Sequence, residues 1–305
     1  MMKLQSQFLD NLDQTLKSGI ALLSPEFRTL HASYLRSQQT SNGGFCGRSG
    51  DTDLYYTEFA VRALTLLDEE CDLEPVGRHV NGLRRPPTGV VHAFSVLNLV
   101  RMLQKRGVKL RQRKVESLIE TADEMLLDSD GSIGNEFLSA LCLEMMAFEF
   151  YINPLTVISI SGRQRRDDGG FKQVKGNHRS QTNATAAAVS YMTMAGEIGK
   201  INVENAAKFL SAMQDESGGL KAHTTAPTAD LLSTFTGLVG LALLGALDRV
   251  NLAGIAKFAK DVASPEGGFR GWPGDTQCDT EYTYYGVATI ALLRLHASNR
   301  TEGKA

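Results

Sequence analysis

Charge of either sign is nearly absent in sum from this chain of 305 residues: 32 Lys and Arg stand against 34 Asp and Glu, a net of −2. That balance gives no electrostatic reason to expect nucleic acid or an anionic membrane as partner. The basic stretch from RRPP to KLRQRK, residues 84–114, reads as a solvated helix face. Cysteine is scarce as well. Cys46, Cys71, Cys142 and Cys278 show no paired spacing, which fits a reducing compartment better than a disulfide framework. No run of about 18 apolar residues occurs, so no membrane span is expected. The N-terminal MMKLQSQFLDNLDQTLK is amphipathic and charged, without the apolar centre of a signal peptide. A cytoplasmic protein is expected. Nor does any Pro/Ser linker or charge block divide the chain. It reads as one domain over 1–305, with an N-terminal helix at about 1–24 and repeats over about 30–296. Aromatic residues make up only 7%, with one tryptophan.

Glycine is abundant, and its placement is informative. Two-glycine turns at Gly43, Gly169, Gly218 and Gly267 each precede an apolar helix pattern. In the last three copies a polar residue (Gln181, Asp230, Asp279) stands eleven positions after the second glycine, with a threonine (Thr185, Thr234, Thr283) four further on. The first copy is two residues shorter and places Asp53 and Thr57 there. A shared period with shared helix chemistry marks a repeat array. Segments such as 203–214 and 252–263 carry apolar residues at spacings of three and four, the pattern of helices with one buried stripe. The segments after the glycine turns are instead apolar nearly all round, so they must be covered all round. Two weaker units fill the gap between the first two copies, giving six inner–outer helix pairs. An all-α fold follows, either closed into a ring or stacked as an open solenoid. The polar residue after each turn reads as a helix N-cap, and N-termini gathered at one end would also favour an anion. DSDG at 128–131 reads as a turn.

These repeats, with QDESGGL and RDDGGF just before the turns, resemble the prenyltransferase and terpene-cyclase repeat superfamily. The likeness is greatest to the β subunits of protein prenyltransferases, above all the Rab geranylgeranyl type, and spans nearly the whole chain. It implies an α/α toroid of six inner and six outer helices around a funnel that holds an isoprenoid, with the inner-helix N-termini at its polar end. It also implies a helical α-type partner subunit and a catalytic zinc held by Asp, by Cys two residues later, and by His from the last repeat. Only the Asp is retained here, as Asp230. Leu232 and Tyr282 occupy the other two positions. The metal expectation is therefore none, or a rebuilt zinc site using Asp230, Cys278 and His223. For the diphosphate, His223 and Ala226 stand where the related subunits place Arg and Lys, with Lys172, Lys175, His178 and Arg179 as alternative cations.

A second branch, the class II terpene cyclases, uses an acid at the start of an inner helix as proton donor. DTEYT at 279–283 places Glu281 at that position, flanked by Asp279 and Tyr282. Glu281 also has a structural reading as the first-turn acid of a capped helix. Aromatic residues on or near inner segments, including Tyr55, Tyr56, Phe59, Phe94, Phe148, Phe150, Tyr151, Tyr191, Phe235, Trp272, Tyr284 and Tyr285, are candidates for the funnel wall. The first expectation is thus an isoprenoid-processing enzyme with polar chemistry at Asp53, Asp230, Asp279, Glu281 and Tyr282, and an apolar ligand against Tyr56, Tyr191, Trp272 and Tyr285. The alternatives are a class II-type cyclase, a zinc prenyltransferase subunit with a rebuilt site, and a lipid-binding or scaffold toroid without catalysis.

Overall fold

The computed structural model describes residues 3–67, 71–84, 88–126, 130–146 and 153–302. Three of the aromatic candidates, Phe148, Phe150 and Tyr151, lie outside these residues, as do part of the RRPP run and the first half of DSDG. The second half of DSDG is a turn: Asp130 Oδ1 accepts the Ser132 N–H, and Gly131 takes φ 65°.

Helix α1 (Gln7–Ile20) precedes six outer–inner pairs. The outer helices are α2 (Pro25–Ser37), α4 (Glu74–Gly82), α6 (Gln112–Leu126), α8 (Pro154–Ser161), α10 (Val203–Ala212) and α12 (Leu252–Val262). The inner helices are α3 (Leu54–Leu67), α5 (Gly89–Lys105), α7 (Ile133–Met146), α9 (Thr182–Met194), α11 (Leu231–Leu243) and α13 (Thr280–Glu302). Each inner helix packs on the next, and α13 packs on α3. The array is a closed ring, an α/α toroid, and the open solenoid is ruled out by that last contact. Among the described residues no helix is long and apolar enough to cross a membrane.

The repeat chemistry explains how each inner helix is set. The Oγ1 atoms of Thr57, Thr185, Thr234 and Thr283 accept the N–H of Phe45, Phe171, Leu220 and Phe269 at 2.9, 2.9, 2.9 and 3.1 Å. Each hydroxyl donates in turn to the carbonyl of the capping residue four positions earlier, at 2.6–2.8 Å. One side chain thus joins the helix start to the residue after the glycine pair, leaving no buried N–H unpaired there. The glycines are steric. A Cβ on Gly218, at φ +96°, would lie 2.2 Å from the carbonyl oxygen of Gly254 in α12, so only glycine lets this turn touch the outer helix backbone.

Helix α1 packs against α13, α3 and α7 and reaches the C-terminal ends of α5 and α7 through its ion pairs and hydrogen bonds. The place of a Cβ on its Gly19 is filled by the backbone of Ala291 in α13. Arg101 of α5, fully buried, donates to Asp10 and, at 2.9 Å, to Asp13, and Ser6 donates to Glu144 of α7. The funnel therefore has a floor, which α1 provides.

Candidate functional site

A cavity of about 340 Å³ runs down the ring, within the range of small-molecule sites. All six inner helices and α1 line it: Tyr55, Phe59 and Arg62 from α3, Phe94 from α5, Phe137 and Leu141 from α7, Ala186 and Ala187 from α9, Leu232 and Phe235 from α11, Tyr285 from α13, and Phe8 and Leu12 at the floor. Few aromatics are needed because they converge. Phe59 packs 5.2 Å from Tyr285 and 4.9 Å from Tyr55, and Phe235 lies 5.5 Å from Tyr285. The small residues of α9 leave the opposing space open.

At the end where the inner helices begin, the chain gathers carboxylates. Asp230 caps α11, accepting from Ser233 N at 2.7 Å, and Asp279 accepts from Tyr282 N at 2.7 Å. Asp53 accepts from Tyr55 N at 2.7 Å. The capping reading of the repeat acids holds for these three, whereas Gln181 caps α9 without a side-chain hydrogen bond. Burial raises the carboxyls of Asp230 and Asp279 above their ordinary range, against the opposing pull of the N–H groups they accept. Asp275 goes the other way. Its burial is outweighed by hydrogen bonds from the Gly271 and Gln277 N–H groups and from Arg48, so its acidity increases.

Glu281, one residue into α13, differs from the caps in having no backbone partner at its carboxyl. Its Oε1 accepts the Tyr55 hydroxyl at 2.7 Å, and Tyr55 forms part of the cavity wall. Burial pushes this carboxyl up to about 7; the Tyr55 hydrogen bond works against the rise and the neighbouring Asp279 adds to it. An acid and its hydrogen-bonded phenol therefore connect the polar end to the aromatic funnel.

A sequence profile of the prenyltransferase alpha-alpha toroid domain matches residues 11–127 and 136–304. The chain belongs to this family. No curated protein matches. Among solved structures, the toroid is similar to Candida albicans protein geranylgeranyltransferase-I complexed with GGPP. The identity is 11% and the TM-score 0.40, over 94% of this chain and 84% of that one.

The toroid brings some of the anticipated residues together and separates others. Asp53, Asp230, Asp279, Glu281 and Tyr282 share the end of the ring at which the inner helices start, and Tyr285 lines the cavity. Tyr56 and Trp272 stay at that end outside the cavity lining; Tyr56 fills the space left by Gly47, and Trp272 stands edge-on to Tyr282 at 6.5 Å. Tyr191 is buried in the cluster that α9 forms with Val157 and Ile160 of α8, and it does not line the cavity. Lys175, His178 and Arg179 are exposed on the loop before α9, Lys172 is half-buried there, and none of them lines the cavity. His223, in the next loop, meets Thr225, which accepts from Arg179 at 2.8 Å.

The family's zinc does not fit these residues. Leu232, where a thiolate would stand, is part of the apolar wall. Among the described residues no group of three or more His, Cys, Asp or Glu could hold a metal ion, so Asp230, Cys278 and His223 do not form the rebuilt site.

Arg48 was not anticipated. Its guanidinium donates to Asp275 at 3.0 and 2.5 Å and to Asp279 at 3.3 Å, tying the first copy's loop to the last copy's. A signal existed: only these two copies share the spacing G-x-x-G-D-T, at 47–52 and 271–276, and they are the neighbours that close the ring.

Proposed function

We propose that this toroid is an isoprenoid-processing enzyme that holds a neutral prenyl chain in the funnel and delivers a proton to it from Glu281 through Tyr55. The observation that carries the reading is the hydrogen bond between the buried Glu281 carboxyl and the Tyr55 phenol in the cavity wall. A carboxyl near 7 keeps a proton available at neutral pH. It is a weak donor for a bare alkene but suits an oxygen, such as an epoxide or allylic alcohol, where C–O cleavage accompanies the transfer. The Tyr55 hydroxyl, which donates to Glu281 in the free protein, turns to that oxygen, passes its proton to it and takes the one held by the protonated Glu281 carboxyl. The C–O bond breaks with its electron pair going to oxygen, and the carbocation left on the chain later loses a proton to the medium. The faces of Tyr55, Phe59, Phe235 and Tyr285 would shield the cation. The charge at the polar end supports a neutral substrate over a diphosphate. Asp53, Asp230, Asp275, Asp279 and Glu281 gather there, and the guanidinium of Arg48 already serves two of them. The chemistry is complete within one chain and needs neither zinc nor an α-type partner subunit.

A binding-only toroid is the second reading, favoured by Asp230 and Asp279 being occupied as helix caps. The two separate in one assay: incubation with prenyl alcohols, epoxides and diphosphates of several lengths, with products read by gas chromatography and mass spectrometry. Conversion of an alcohol or epoxide, abolished in Glu281→Gln while binding persists, is expected. Binding without conversion of any substrate by the wild type would overturn catalysis, and conversion of diphosphates alone would overturn the neutral substrate.

A further inference from the structure

A funnel built for hydrocarbon alone has no use for an ion pair in its wall, yet α3 places one there. Glu58 and Arg62 both line the cavity, at 1% and 8% exposure. Arg62 stands seven residues after Tyr55, about 10 Å further down the funnel at 1.5 Å per residue. Its guanidinium lies 4.2 Å from the centre of the Tyr284 ring and 3.5 Å from Glu58 Oε1. That separation is an ion pair without hydrogen-bond geometry, and the Arg62 Nε is buried with no hydrogen-bond partner.

The neighbours leave Nε without an acceptor, and the Tyr284 hydroxyl is likewise buried with no hydrogen-bond partner. Glu58 already accepts from Asn98, whose own oxygen accepts Arg101 Nε at 2.8 Å. Elsewhere in the wall, Ser95 donates to the Val91 carbonyl and Asn183 accepts from Thr236. Arginine carries five N–H donors and no acceptor, and withdrawing them from water without a replacement acceptor is costly. What is missing is an acceptor that enters with the ligand. A carboxylate would set a second anion beside Glu58 in a low-dielectric wall, whereas a neutral oxygen leaves the Glu58–Arg62 charges balanced.

We infer that Arg62 forms a second polar subsite inside the funnel, taking a hydroxyl or carbonyl oxygen carried by the ligand about 10 Å from the end that meets Tyr55 and Glu281. This rests on the funnel being the ligand site proposed above. It makes the substrate class an isoprenoid-like chain oxygenated at two places, and Arg62 the residue that selects it over a chain with one.

Calorimetric titration of the full-length protein with a straight-chain α,ω-diol and with the mono-alcohol of equal length tests this. Glu58→Gln with Arg62→Met is the comparison, because removing the arginine alone would strand a buried carboxylate. The ratio of mono-alcohol to diol dissociation constants should fall roughly tenfold or more in the double variant, as expected for a lost hydrogen bond to a charged group. An unchanged ratio would mean that water rather than ligand meets Arg62 and would overturn the subsite while leaving the funnel reading intact. Failure of the wild type to bind either alcohol would overturn both. A measurement independent of any variant is the Arg62 Nε–H resonance of labelled wild-type protein. It should move when the diol binds, and its constancy in a diol-saturated sample would also overturn the inference.

Discussion

Replacing Glu281 by glutamine removes one titrating group and leaves Tyr55 an oxygen to donate to. In the wild type the folded carboxyl titrates near 7, against an ordinary 4.5. Below the lower value both states are protonated and the group has no effect on stability. As pH rises past 4.5 the unfolded chain releases its proton while the folded chain keeps it, so native stability falls until the folded carboxyl also ionises near 7, and then levels off. The displacement corresponds to about 3 kcal/mol at 1.36 kcal/mol per pH unit, trimmed to about 2–3 by water at this half-buried position. Urea denaturation of wild type and Glu281→Gln at about pH 4.5 and about pH 8 measures it, because the double difference cancels the titration of all other groups that do not couple to Glu281. The variant should gain about 2–3 kcal/mol on the wild type between the two conditions. An equal difference at both pH values, or a wild type that gains on the variant as pH rises, would refute the buried, proton-holding carboxyl and with it the general acid.

Two further outcomes follow from the frame. Thr234→Val keeps the shape of the side chain but leaves the buried Leu220 N–H without its acceptor, so it should cost about 1–3 kcal/mol in urea denaturation. Arg101→Met releases Asp10 and Asp13, which are about one-third and one-quarter exposed and can rehydrate, so the cost should be about 2 kcal/mol, below that of a fully buried pair. Because those contacts hold α1 to the ring, its amides should exchange roughly 30-fold faster while those of α9 and α11 keep their protection.

The sequence by itself determined the repeat, the inner and outer helix classes and the capping acids, because each is written in local chemistry. A glycine at φ +96°, an N-cap aspartate and a threonine four residues later act within one turn and its helix, and so recur at fixed spacing. Tertiary structure decided which side of each inner helix meets the funnel. A helix apolar all round carries no periodicity to distinguish its faces, which is why Tyr191, equal in sequence terms to Tyr285, turns out to pack against α8 instead. Ring closure was equally out of reach, since the contact of α13 with α3 joins segments more than 200 residues apart. The same closure assembles Arg48 with Asp275 and Asp279, and Tyr55 with Glu281. The Tyr55–Glu281 pair leaves no trace in the sequence and the Arg48 cluster leaves only the shared G-x-x-G-D-T spacing, because the free energy that holds each together is gained only after the whole chain has come round.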